Sequence, residues 1–174
     1  MISRGGFLRD TRAAAASEFA LVLPLLAYVF LNVADLSMYI WSKMQVDIAA
    51  QAAVGAARAA CDEVAELPAT TNCGTLTATM LNAAQATSLG TQVTLGIPTE
   101  AWYCSTTTGT LSEVAPINAA VPADCSGTTA GSTVAPGDYI SSTASLTFTP
   151  MFPGATIAAA LPPTITSTAW MRLQ

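Results

Sequence analysis

The sequence predicts an α+β chain in which one long N-terminal helix, membrane-spanning in its first half and amphipathic in its second, packs on a small antiparallel β-sheet. Three observations predict it. Phe19 to Trp41 is an apolar run of 23 residues, about 34 Å as a helix against a hydrocarbon core of about 30 Å. The alanine-rich stretch that follows, as far as Glu66, contains no strong helix breaker. Beyond Gln92 the helical spacing of apolar residues gives way to strand-like alternation.

The first element is expected from Ala14 to about Glu66. Within it only Pro24 interrupts the pattern, removing the hydrogen bond to the carbonyl of Ala20 and loosening the span locally. Ala49, Ala53, Ala56 and Ala60, with Ile48, Ala52, Gly55 and Ala59 beside them, form a stripe of small residues. Such a stripe lets a sheet or another helix approach closely, within one subunit or between two. Leu67-Pro68 is expected to end the helix, Thr70 to Gly74 to be loop, and Leu76 to Leu89 to be a second, short helix stopped by Gly90. Gln92 to Ile97 and Ala101 to Cys104, on either side of Pro98, suggest a hairpin. Ser105 to Gly137 is rich in Thr, Ser, Gly and Pro and reads as surface loop with at most one short element. Tyr139 to Phe148 is the clearest strand, and Thr164 to Arg172 alternates again and should pair antiparallel with it.

Charge gives the helix its orientation. Arg4, Arg9 and Arg12 precede the apolar run, and a mostly acidic remainder follows it. The positive-inside rule then puts the N-terminus in the cytoplasm and the rest outside, with Tyr39 and Trp41 at the outer interface. A soluble core helix can show a similar run, and flanks this asymmetric disfavour it. Three basic residues, Lys43, Arg58 and Arg172, stand against ten acids after Ala13, a net charge of about −7. Such a surface disfavours nucleic acid as a direct partner.

Cys61, Cys73, Cys104 and Cys125 all follow the span. An even number in a translocated segment reads as disulfides in an oxidising compartment. Sequence order suggests Cys61 with Cys73 and Cys104 with Cys125, although four cysteines allow three connectivities. Zinc is the competing reading, and spacing opposes it, because no pair forms a C-x2-4-C and the chain has no His. No metal or other cofactor is expected. Without His, a G-x-S-x-G motif or clustered carboxylates, the chain offers no nucleophile with its base, so an enzyme is not expected.

Glu18 stands at the entrance of the apolar run, where desolvation of a carboxylate is costly without a partner or water. A cut between Ala13 and Ala14 would create an amine within about one helical turn of it, or beside the Glu18 of a neighbouring copy. The plainer account of Glu18 is a carboxylate favoured by the helix dipole. For Asp35 two readings stand side by side: snorkelling towards the outer interface, and a contact between subunits.

The stretch Ala14-Ala15-Ala16-Ser17-Glu18-Phe19-Ala20-Leu21-Val22-Leu23-Pro24-Leu25-Leu26 resembles the opening of the TadE-like minor pilins, or pseudopilins, of the tight-adherence (Flp/Tad) type IV pilus system. Val33-Ala34-Asp35-Leu36 is similar to that family's acidic residue late in the span, and Gln45 to Arg58 to its alanine-rich helix. Tyr139 to Pro153 and Thr168 to Arg172 resemble its closing strands. The resemblance implies a pilin-like fold and a cut by a prepilin peptidase that leaves Glu at the fifth mature position and an aromatic residue at the sixth. Ala13 and Ala14 would then flank the cut, although Ala13 stands where the family usually has Gly. Residues 1–13 become a cytoplasmic leader, 14–42 a transmembrane and assembly helix, and 43–174 a periplasmic or extracellular domain. Glu18, Phe19, Pro24 and Asp35 become assembly residues.

The partners implied are other pilin subunits, the prepilin peptidase, the inner-membrane assembly platform and, before assembly, the lipid bilayer. The major pilin of such systems is much shorter than this chain, which favours a minor subunit. The competing function is a signal-anchored periplasmic binding or adhesive domain that never joins a filament. Secretion with a signal-peptidase cut after Ala50-Gln51-Ala52 fits less well, because the apolar region is too long and too far from that site.

Overall fold

A computed structural model describes residues 11–61 and 63–174. The expected leader therefore lies almost wholly outside the described residues, as do the side chains of 11–15 and of Val64. The chain divides into two compact units. One comprises the helix up to Ile40 together with Thr149–Pro163, and the other Trp41–Phe148 with Thr164–Gln174. The sequence suggested a division near residue 42 with everything beyond it in one domain. The finding differs in that the segment between the last two strands belongs with the N-terminal helix.

Helix α1, Thr11–Ala60, is 50 residues long, about 75 Å at the standard rise. Pro24 sits inside it without ending it. The helix stops six residues before the expected Glu66 end. Its last hydrogen bond runs from the Cys61 N–H to the Ala57 carbonyl, and Cys61 is joined to Cys73. The covalent tie turns the chain there, something a search for Pro or Gly does not register. In the second unit the small-residue stripe is packed: Val46, Ala49, Ala50, Ala53, Val54 and Ala57 are all buried. Side chains this small let the sheet come close to the helix.

The loop expected over Thr70 to Gly74 is partly helical, with α2 at Ala69–Asn72. Helix α3, Leu76–Gln85, is shorter than expected. After it, Thr87 folds its hydroxyl onto the Ala84 carbonyl at 2.8 Å, and a 3-10 turn follows at Gly90–Gln92, with Gly90 at a φ of 56°. A side chain that bonds the preceding turn competes with helix continuation. Leu76, Met80 and Ala84 are its buried face.

The sheet is built on β4, Gly137–Thr147. Strand β5, Thr164–Arg172, pairs antiparallel along one edge of it, from Tyr139 opposite Arg172 to Thr147 opposite Thr164. On the other edge lie two segments end to end: β1, Thr94–Leu95, opposite Ser145 and Ala144, and β2, Thr99–Ser105, opposite Ser141 to Gly137. The expected hairpin around Pro98 is therefore corrected. The chain does not reverse there but continues along β4, with the Gly96 N–H donating to the Thr143 carbonyl at 2.8 Å. Pro98 interrupts the ladder because it has no N–H to give, which is tolerated where a strand breaks. The hairpin partner of β2 is β3, Leu111–Pro116. It is the one strand within the long Thr-rich stretch.

Alternation along β4 sorts its faces. Asp138, Ile140, Ser142, Ala144 and Leu146 are buried on one side. The other side carries Ser and Thr, which form cross-strand hydroxyl pairs: Thr143 with Thr168 at 2.7 Å, Thr99 with Ser141 at 2.7 Å and Thr94 with Ser145 at 2.8 Å. Pairs of this kind stabilise a sheet by a few tenths of a kcal/mol each, about 0.2–1. Both disulfides lie in the second unit, Cys61 to Cys73 and Cys104 to Cys125. The second ties the 117–136 loop to β2, and the Thr129 hydroxyl adds a bond to the Ser105 carbonyl at 3.1 Å.

Candidate functional site

The feature that needs a function is the first part of α1. Leu21 is 81% exposed, Phe30 70% and Leu25 66%, and Phe19, Leu23, Leu26, Tyr28 and Val29 are exposed as well. These residues point in every direction around the helix. An amphipathic helix of a soluble domain hides its apolar stripe, whereas one that is apolar all round is made for a lipid or protein environment that encloses it. Ala16–Ala60 contains a stretch long and apolar enough to cross a membrane. Exposure of the run also answers the alternative of a soluble core helix, which would be buried within the chain.

Glu18 and Phe19 are both exposed at the start of this run. Ala13 and Ala14 lie within the first turns of α1. In the uncut chain Glu18 is past the first helical turn; a chain beginning at Ala14 would bring it closer to the unsatisfied N–H groups and positive end of the helix dipole. Pro24 follows about a turn and a half later. Its ring leaves the Ala20 carbonyl without its helical donor, a group that in lipid must be satisfied by a neighbour, a side chain or water.

Asp35 differs from both of its expected roles. It is fully buried, so it neither snorkels nor presents itself to another subunit. Its carboxylate accepts hydrogen bonds from the Met151 N–H at 2.9 Å, the Phe152 N–H at 3.3 Å and the Thr156 hydroxyl at 2.6 Å. One turn earlier Asn32 accepts the Ile157 N–H at 2.8 Å through Oδ1, while its own amide donates to the Tyr28 carbonyl at 2.8 Å. Residues 32 and 35 share a helix face, and together they hold the segment that links β4 to β5. No sequence signal could pair residues more than a hundred positions apart.

A second acidic arrangement, missed by sequence reading, lies on the buried face of the sheet. Glu100 on β2 receives the Ala69 N–H at 2.9 Å, the Thr70 N–H at 2.7 Å and the Thr70 hydroxyl at 2.6 Å, and so caps the start of α2 from across the fold. Asp138 stands diagonally beside it, two residues along β4 from Ile140, the partner of Glu100, and directly opposite Trp102. Burial raises the Asp138 carboxyl to about 7, helped by the Glu100 charge and by the hydrogen bond between the two acids. Below about pH 7 Asp138 is therefore the neutral acid that donates to Glu100. Its Oδ1 and the Trp102 indole N–H are buried without a hydrogen-bond partner. The pair reads as structural, because Glu100 has committed both oxygens to α2. Among the described residues no group of three or more His, Cys, Asp or Glu is placed to hold a metal ion.

Comparison with known proteins bears on the helix. No curated protein and no solved structure matches the chain. Residues 13–55, about a quarter of the chain, match the family described as TadE-like protein. The matched segment contains Glu18, Phe19, Pro24 and Asp35 and ends among the buried alanines of the second unit. Over residues 13–55 the chain is therefore similar to the TadE-like family, and the matched stretch coincides with the exposed apolar helix that precedes the small antiparallel sheet.

Proposed function

We propose that the chain is a minor pilin of a Tad/Flp type IV pilus, a structural subunit rather than an enzyme. In this reading α1 crosses the inner membrane with its N-terminus in the cytoplasm, a prepilin peptidase cuts between Ala13 and Ala14, and the mature subunit joins or primes the filament used for surface attachment. The observation that carries the proposal is a helix apolar on every side with one carboxylate, Glu18, at its entrance. The family match over the same residues supports it.

The physical logic concerns the transfer of α1 from lipid to filament. Lipid and packed pilin helices both cover its apolar surface, so hydrophobic burial alone changes little on assembly. A charge is different. Glu18 leaving the headgroup region is opposed by desolvation, and an amine on Ala14 of an adjacent subunit offsets that opposition only when the two helices are in register. The pair therefore selects geometry more than it adds stability. The assembly platform and the other pilins are the partners this requires.

Mass spectrometry of the protein from wild-type and prepilin-peptidase-deficient cells tests the reading. Loss of Met1 to Ala13 in the wild type alone is expected. Retention of Met1 in both would favour an anchored domain that stays in the membrane. Glu18→Ala should still insert but should abolish incorporation into pili, and normal incorporation would reduce Glu18 to a helix-capping residue.

A further inference from the structure

We propose that the segment joining β4 to β5, Thr149–Pro163, is a second membrane contact, which enters the outer leaflet beside the span and is held at that depth by Asp35 and Asn32. The inference rests on the proposed reading of α1 as membrane-spanning.

Composition sets the first condition. No charged residue occurs between Asp138 and Arg172, and the segment offers Met151, 62% exposed, and Ile157, 58% exposed, to its surroundings. A polar connection of ordinary surface type would carry Asp, Lys or Asn instead. Position sets the second. Asn32 and Asp35 lie about 20 and 24 Å along the helix from Phe19, within a hydrocarbon layer of about 30 Å. Tyr39, the first of the interfacial aromatics, is about 6 Å further on. Whatever those two side chains hold is therefore at the depth of the outer leaflet.

Backbone chemistry is the third condition, because irregular chain at membrane depth needs its N–H groups satisfied by protein, and six of the eleven N–H groups in the segment find a protein acceptor in the bonds that follow. Pro150, Pro153, Pro162 and Pro163 have none to satisfy. Met151 and Phe152 give theirs to Asp35, and Ile157 gives its own to Asn32. Ala155, Ala159 and Leu161 donate to the Phe152, Thr156 and Ala158 carbonyls within the segment. A buried acid in a spanning helix is expensive, and here it serves the donors that lipid cannot. Between Ile157 and the helix remains an apolar groove of about 340 Å³, lined also by Tyr28, Val29, Val33 and Leu36. It continues the lipid-facing surface of the span, and an acyl chain fits its chemistry.

The test uses the full chain in phosphatidylcholine vesicles containing lipids brominated high on the acyl chain. Single variants Ile157→Cys, Met151→Cys, Val29→Cys and Ser126→Cys are labelled with a polarity-sensitive fluorophore; the native cysteines are all paired and leave the new thiol as the reactive one. Labels at residues 157 and 151 are expected to be quenched as strongly as at residue 29, with blue-shifted emission, while the label at 126, in the Thr- and Ser-rich loop, is not. Quenching at 29 with residues 157 and 151 matching 126 overturns the proposal and leaves the span intact. Absence of quenching at 29 overturns the span and the proposal with it. Should Ile157→Cys fail to fold, the exposed Met151→Cys variant decides alone.

Discussion

Asp138 is the residue whose protonation shapes stability most directly. Its carboxyl is raised to about 7 when folded and returns to its ordinary value of 3.8 when unfolded. Between those values the folded chain holds a proton that the unfolded chain does not, so this group's stabilisation is complete below about pH 4 and is lost as pH rises to about 7. The loss should be on the order of 2 kcal/mol once solvent screening is allowed for. Asp124 acts in the opposite direction at lower pH, since the Ser126 hydroxyl and N–H hold its carboxyl below its ordinary value. In Asp138→Asn the amide still donates to Glu100 but no longer titrates. Urea unfolding of wild type and variant at pH 4.5 and pH 7.5 should show a decline in the wild type that the variant lacks. Equal declines would mean that Asp138 ionises normally in the fold.

At the scale of elements, the two disulfides compensate for a core made largely of alanine. Cys104 and Cys125 enclose 21 residues of sequence separation, and the segment between them has few apolar side chains to hold it. Replacing both by Ser should lower stability by about 3 kcal/mol in the chain-entropy model, read as a fall in the urea midpoint with the circular dichroism of β2, β4 and β5 retained. Loss of the whole sheet signal would show instead that the bridge organises β2. These pairings, β4 and β5 were legible because the signal is local: neighbouring cysteines in sequence, and β-branched residues in alternation from Tyr139 to Phe148 and from Thr164 to Arg172. The placement of β1 and β2 was not. Alternation on either side of Pro98 describes a hairpin and a broken edge strand equally well, and the choice is made by β4, more than forty residues later. The same limit hid the partners of Asp35 and Glu100. A lone acid in an apolar setting announces that something pairs with it, but a backbone N–H has no signature in sequence.

For the whole molecule, the division into two units predicts that the second can be separated. A chain beginning at Trp41, with Thr149–Pro163 replaced by a short glycine-serine link between the paired ends Thr147 and Thr164, should fold in water with both disulfides formed. Circular dichroism and the absence of free thiols would check it. A molten or aggregated product would mean that the buried small-residue face of α1 needs the helix before it to form. In the native chain α1 is continuous through Ile40 and Trp41, and its far end is anchored one residue beyond Ala60 by the Cys61 to Cys73 bond. Under the proposed reading of the chain as a pilus subunit, that anchor has a mechanical consequence. A pull along the helix axis reaches a covalent stop at Cys61, so the residues between 61 and 73 cannot add to the extension of a stretched fibre until the bond is reduced. Under load the subunit would lengthen less in an oxidising medium than in a reducing one.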